Sequence, residues 1–425
     1  MSYDGRLRSG MMYYFFDVAA YALISRLTMK EDVDAGALEY AVGETVRCHP
    51  YIAKGLEEKN GNFYIADLDT PVPALNTTDD LILGGSAAGG HLYGITWHGN
   101  HINLHFYHGL MDGMAAQHVM ETLLYFYCCK KNRKKYDPDG IRIDEGCMNG
   151  SYNAEPFEDE YEVTSKEDAP NLPDECLHLT QLDAGWDKNE HTGYEVSVNA
   201  VAFMELVKRE GLTPTSAAAV FLSHAAMRLY PDNTKPVKTA IPVDIRKATG
   251  LTDTFRNSTV DIGLYFDPVR MSGMTISEQG KELRSQLKSQ TGSDHLRTLV
   301  NAAINRMKYF EKAGSYGDRL EMFRQIKRSS VDTFLLSYVG RLHLPGYEDE
   351  VKSVSLVSHS RNSIIINLTE TKEDFVFGFR QCVSSAFLVD EFCEVLNENG
   401  IPARRSEAEH YKLPYVEFRE TLGLK

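Results

Sequence analysis

Asn103-Leu-His-Phe-Tyr-His-Gly-Leu-Met-Asp-Gly113 is the stretch on which the reading of this chain turns. It starts as an alternating apolar run and ends in a compact polar turn, so it reads as a strand that stops. Behind it, residues 114–127 are apolar and rich in helix formers, which predicts a helix. Ahead of it, residues 91–98 and 101–107 alternate around Gly99-Asn100, a hairpin signal. His108 therefore sits where a strand gives way to a helix, a place that presents side chains into clefts. With Asp112 and Gly113 it makes the spacing His-x-x-x-Asp-Gly. A histidine titrates near neutral pH and is suited to take a proton from a hydroxyl or an amine. The glycine permits a tight backbone and leaves room for substrate.

The spacing alone also fits a hydrogen-bonded loop histidine followed by a helix-capping aspartate. Four histidines, His98, His101, His105 and His108, raise the question of a metal. On a strand His101 and His105 share a face while His108 has the opposite parity, and no carboxylate or cysteine completes a ligand set nearby. No metal is expected.

The chain has 425 residues, more than one ordinary core holds, which predicts two lobes. Its 43% apolar and 25% charged residues are those of a soluble protein. A formal charge of -15 argues against nucleic acid and anionic membrane as partners, since both select a basic footprint. The seven cysteines are odd in number and form no Cys-x-x-Cys pair, which fits a reducing compartment better than a disulfide scaffold or structural zinc. Residues 11–24 are apolar behind Arg6 and Arg8, the outline of a signal peptide, but Asp17 sits inside the run. A cytoplasmic location is expected, with that run in the core rather than lining a tunnel. No stretch reaches the length of a membrane helix.

Taken in order, a strand over 22–29, a helix to about residue 47, a hairpin around Lys59-Asn-Gly61 and the motif hairpin with its helix make an N-terminal lobe, residues 1–175. The glycine-rich segment 84–90 lacks the Lys-Ser/Thr follow-up of a phosphate loop and reads as a turn. A basic run at 130–135, an acidic run at 155–168 and Pro138, Pro156, Pro170 and Pro173 mark a crossover. Strands and helices mix again in a C-terminal lobe, residues 176–425, where 352–358, 363–368 and 375–382 read as an antiparallel set. Regular βαβ alternation is absent, so the expected fold class is α+β, with a mixed sheet and flanking helices in each lobe.

The stretch Tyr107-His-Gly-Leu-Met-Asp-Gly113 resembles the active-site motif of the chloramphenicol acetyltransferase-like superfamily. That group includes the condensation domains of nonribosomal peptide synthesis, plant BAHD acyltransferases, carnitine acyltransferases and alcohol acetyltransferases. Thr213-Pro-Thr-Ser-Ala-Ala-Ala219, Ile241-Pro-Val-Asp-Ile-Arg246 with Phe255-Arg-Asn257, and Leu336-Ser-Tyr-Val-Gly340 resemble later segments of the family, in the same order along nearly the whole chain. The features resemble most the stand-alone bacterial proteins of this group.

The resemblance implies two similar lobes with a tunnel between them. It implies an acyltransferase that moves an acyl group from a thioester to a hydroxyl or amine. His108 would be the general base and Asp112 a structural residue salt-bridged to an arginine, for which Arg246 is the candidate. Gly113 would leave room for the donor arm. Ser337 would contact substrate or oxyanion across the tunnel, or cap its own turn, and Tyr338, which stands where many relatives have asparagine, is the second candidate for such a contact. No bound cofactor is implied; acyl-CoA or an acyl-carrier-protein thioester is the co-substrate. The partners are a small-molecule acceptor and that donor, a carrier protein among them, and a monomer suffices. Two departures stand out: Tyr107 occupies the place of the condensation domains' first histidine, and the plant Asp-Phe-Gly-Trp-Gly stretch is absent, since Asp374-Phe-Val-Phe-Gly-Phe379 reads as a strand. The alternative function is a noncatalytic condensation-like binding or interaction protein.

Overall fold

Two mixed β-sheets organise the chain. They are seen in a computed structural model that describes residues 6–9, 20–59, 62–144, 151–164, 175–179, 191–325, 332–358, 364–412 and 415–416. Part of the apolar run over 11–24, and Cys147, lie outside the described residues.

The first sheet contains β1 (Ala20–Met29), β4 (Ala74–Asn76), β5 (Tyr93–His98), β6 (His101–Tyr107) and β11 (Val351–Val357), in the order β11-β1-β6-β5-β4. A short strand β16 (Tyr415–Val416) also pairs with β1. β2 (Lys54–Lys59) and β3 (Asn62–Asp67) form a separate hairpin. The turn at Gly99, with φ 55°, closes the β5–β6 hairpin in the left-handed region that glycine tolerates. Helix α1 (Ala35–Cys48), capped by the Asp34 carboxylate on Ala37 N, packs on helix α2 (Gly113–Lys131). Together with the sheet they bury one core that includes Leu27, Leu104, Phe106 and Leu123.

The second sheet contains β7 (Thr192–Asn199), β8 (Val237–Asp244), β9 (Thr259–Phe266), β10 (Phe334–Tyr338), β12 (Ile364–Glu370), β13 (Asp374–Gln381) and β14 (Arg404–Arg405), in the order β14-β7-β13-β12-β10-β8-β9, with β15 (Glu409–His410) on β7. Side chains alternate along a strand, so register assigns each to a face. Phe334, Leu336, Ile262 and Leu264 join the core beneath the helices Pro214–Leu229 and Phe387–Glu398. Leu335 pairs with Ala240, which pairs with Gly263, so Leu335, Ser337 and Asp261 lie on the other, inner face.

One expectation is corrected. Residues 352–358 do not join 363–368 and 375–382 in an antiparallel set: β11 pairs antiparallel with β1, Ile24 opposite Val357. Val351 and Val354 enter the first core with Leu342, Leu344 and Tyr347, although these residues follow the boundary expected at 175/176 by far. The second half of the chain thus lends a strand to the first sheet, and the first half lends none in return among the described residues. β12 keeps hold of it through side chains, with Thr369 Oγ1 donating to Val354 O at 2.7 Å. Among the described residues no helix is long and apolar enough to cross a membrane.

Two histidines of the first core carry a stability consequence. Burial above all holds the imidazoles of His49 and His105 down to about 3. Between that value and the ordinary 6.5 the unfolded chain binds these protons and the folded chain does not. Each histidine therefore removes up to about 1.4 kcal/mol of stability per pH unit as pH falls below 6.5. Urea denaturation at pH 7 and pH 5 is expected to show a smaller loss for His105→Gln than for the wild type; equal losses would contradict the assignment.

Candidate active site

β6 runs between β1 and β5, so its last residues are buried on both sides. The chain then turns sharply: Leu110 N and Met111 N both donate to Tyr107 O, at 2.9 and 3.4 Å. Gly109 is required here, because a Cβ would meet the Tyr107 ring at 2.3 Å. The Tyr51 hydroxyl donates to Leu110 O and pins the turn from below. α2 begins at Gly113 with Asp112 as its cap, the Asp112 Oδ1 accepting from Ala115 N at 3.0 Å.

Both Asp112 oxygens are directed into protein. Arg246 Nη1 lies 2.8 Å from Oδ2 and Arg246 Nη2 donates to Oδ1 at 3.1 Å, a two-pronged pair. Ser258 N donates to Oδ2 at 2.9 Å. The two side chains are 1% and 7% exposed, so the pair is desolvated and its geometry has to be complete. Arg246 is completed by Asp244 Oδ1 at 3.0 Å, Thr254 O at 2.8 Å and Arg256 O at 3.3 Å.

His108 sits within this frame. Its Nδ1 is 3.2 Å from Met111 O. A carbonyl only accepts, so Nδ1 carries the hydrogen in the neutral ring and Nε2 carries the lone pair. Asn257 Nδ2 donates to His108 O at 3.2 Å, and Thr259 Oγ1 donates to Asn257 Oδ1 at 2.9 Å. Burial lowers the imidazole below its ordinary 6.5, opposed by Met111 O and the Asp112 carboxylate. The ring is therefore neutral at pH 7. It lies deep in the body of the protein and still keeps part of its surface accessible.

The sequence-derived candidates fall into two groups. His108, Asp112, Gly113 and Arg246 meet at one place. Gly113 faces β10: a Cβ on it would come within 2.9 Å of Val339 Cγ2. A narrow, largely apolar cleft opens there, lined by Gly113, Gln117, Met120, Ser337, Val339 and Asn367 among others. Ser337 thus stands in the cleft, across from Gly113, whereas His108 does not line it. Tyr338 points the other way, its hydroxyl donating to Glu370 Oε2 at 2.7 Å and its ring 5.7 Å from that of Phe375. Ser337 lines the cleft and Tyr338 does not, although Glu370, which its hydroxyl reaches, stands at the cleft's edge. His105 is buried against Thr96 at 3.0 Å, while His101 is exposed beside Thr28. Asn257 and the Ser258 amide were not singled out from the sequence. Their segment was, since Phe255-Arg-Asn257 follows the Arg246 stretch, but only the folded contacts give these groups a task.

Removing the Asp112 carboxylate takes from a buried guanidinium the more deeply buried of its two carboxylate partners and leaves only Asp244. Asp112→Ala is expected to cost about 3–5 kcal/mol of stability, measured by denaturant unfolding. His108→Ala, which keeps the pair intact, is expected to cost far less; similar losses would contradict the bracing role.

No protein-family model matches the chain, and no curated protein matches it. Solved structures do. One is TRI101 of F. sporotrichioides, complexed with coenzyme A and T-2: 14% identity, 96% of this chain and 100% of that chain, TM-score 0.58. Another is the TRI3 trichothecene 15-O-acetyltransferase of Fusarium sporotrichioides: 9% identity, 92% and 94% coverage, TM-score 0.59. A third is polyketide synthase associated protein 5 of Mycobacterium tuberculosis: 12% identity, 92% and 96% coverage, TM-score 0.57. At such identities the likeness concerns the backbone. It covers nearly the whole of each chain, and on that ground this chain shares the fold of these proteins, in line with the two-lobed α+β arrangement expected from the sequence.

Proposed function

We propose that the protein is an acyltransferase that moves an acyl group from a thioester to a hydroxyl or amine acceptor, with His108 as general base. The observation that carries this reading is the hydrogen bond from His108 Nδ1 to Met111 O, which, in a ring that burial keeps neutral, leaves the lone pair on Nε2. The acceptor gives its proton to Nε2 as its oxygen or nitrogen bonds to the thioester carbonyl carbon. The tetrahedral oxyanion collapses, the carbon–sulfur bond breaks, and the thiolate leaves with the proton that His108 returns. Ser337 is the proposed oxyanion or substrate contact, on the far wall of the cleft. The donor is acyl-CoA or a carrier-protein thioester. Support comes from the similar structures: TRI3 is an acetyltransferase, and TRI101 was solved with coenzyme A. The FmoA3 nonribosomal peptide synthetase, also similar (13% identity, TM-score 0.57), keeps a carrier-protein donor in view; this chain spans 42% of it.

Incubation with acetyl-CoA and mixed alcohols and amines, read by mass spectrometry, tests the reading. Acyl transfer is expected to fall 10²–10⁴-fold, roughly, in His108→Ala and to persist in the exposed variant Glu39→Gln. Ligand binding without turnover would favour a noncatalytic protein instead. Thiol release without acceptor would indicate a hydrolase. Because the His108 ring is held below 6.5, the rate is expected to be flat above that pH and to fall only below it, as the ring takes up a proton.

A further inference from the structure

The cleft beside Gly113 is lined mainly by apolar groups, with a few polar side chains among them. Ser337 on β10 and Asn367 on β12 are register partners, so they stand side by side on the inner face of the second sheet, roughly 5 Å apart. Both line the cleft. Farther along β12, Glu370 stands where the cleft meets an open surface groove, so a ligand can enter from outside.

Asn367 is 4% exposed, and its carboxamide is held one way round. Nδ2 donates to Ser358 Oγ at 2.9 Å and to Leu356 O at 3.4 Å. A carbonyl only accepts, so the nitrogen has to lie on the β11 side. Oδ1 is left over. It accepts no hydrogen bond among the described residues, and it is not sealed within protein, so the cleft is the space it meets. Gln117, the other amide of the cleft, has no N–H to spare, since its Nε2 donates to Glu121 Oε1 at 3.0 Å and to Arg341 O at 3.2 Å. A carbonyl oxygen among apolar groups is costly until a donor reaches it. That donor comes from whatever fills the cleft.

We propose that Asn367 is a specificity residue whose Oδ1 accepts a hydrogen bond from an N–H or O–H of the thioester, on the order of 5 Å from the atom that Ser337 contacts. Two parts of a thioester can offer such a group at that distance: the first amide N–H of the thiol arm, or a hydroxyl or amide N–H on the acyl chain. That this cleft holds the thioester rests on the acyltransferase reading given above. Asn367 takes no part in the bond changes.

The test uses the full chain and two pairs of thioesters, each pair differing at one group. S-acetyl-N-acetylcysteamine is compared with 2-acetoxyethyl thioacetate, in which oxygen replaces the amide N–H. 3-Hydroxybutyryl-CoA is compared with butyryl-CoA. Binding is followed by calorimetry without acceptor, and transfer by kcat/KM with the mixed alcohols and amines at pH 7.5. In at least one pair the member that carries the hydrogen is expected to be favoured roughly tenfold or more, and Asn367→Leu is expected to bring that ratio to about one. Loosening of β11 in the variant lowers both members alike and leaves the ratio as it was, so the ratio reports the hydrogen bond itself. A preference within the first pair assigns the bond to the thiol arm, and one within the second pair assigns it to the acyl chain. No preference in either pair with the wild-type chain, or a preference that persists in Asn367→Leu, would overturn the proposal. If an Asn367-dependent preference in binding is found without any transfer, the recognition site stands and the acyltransferase reading falls. If transfer depends on His108 but neither pair is discriminated, the reverse holds.

Discussion

The Asp112–Arg246 pair is the contact on which the rest of the site depends. The two residues are 134 positions apart, one at the start of α2 and the other just past β8, and they meet fully desolvated. Such a pair adds little net stability, because the cost of removing both charges from water offsets most of their attraction. What it does is select an arrangement. The Ala115 amide is local to the cap, but only one placement of the two lobes also gives the carboxylate its guanidinium and the Ser258 amide. That placement also brings Asn257 under the His108 carbonyl and β9 alongside the motif turn.

The acidic and basic members of the motif therefore have separate work. Asp112 turns away from the ring and holds the turn. His108 is oriented by neutral groups, a carbonyl and an amide, in surroundings that keep it uncharged. An imidazole bonded directly to a carboxylate would be drawn toward its protonated form. Here the carboxylate acts on it only from a distance, and burial outweighs that pull.

Much of this was legible in the sequence, for identifiable reasons. The β5–β6 hairpin and the helix behind it are local, written in alternation, in Gly99-Asn100 and in the run from 114 onward. Arg246 was reached through the order of later segments that resemble one superfamily. The crossing of β11 into the first sheet was not legible: alternation in residues 351–357 tells which side chains face a core and says nothing about which strand lies beside them. The same limit hid Asn257, whose task depends on where the start of β9 meets the other lobe. Tyr338 is different. Strand periodicity already sets it on the side opposite Ser337 once β10 is recognised as a strand, while its bond to Glu370 depends on the pairing of β10 with β12.

The central claim is that the fold presents a neutral His108 with hydrogen on Nδ1 and the lone pair on Nε2. Nitrogen-15 NMR of the histidine side chains in the full chain, assigned by comparison with His108→Gln, measures this directly. The account requires the His108 spectrum at pH 7 to be that of a neutral ring protonated on Nδ1. A ring protonated on Nε2, or on both nitrogens, would contradict it.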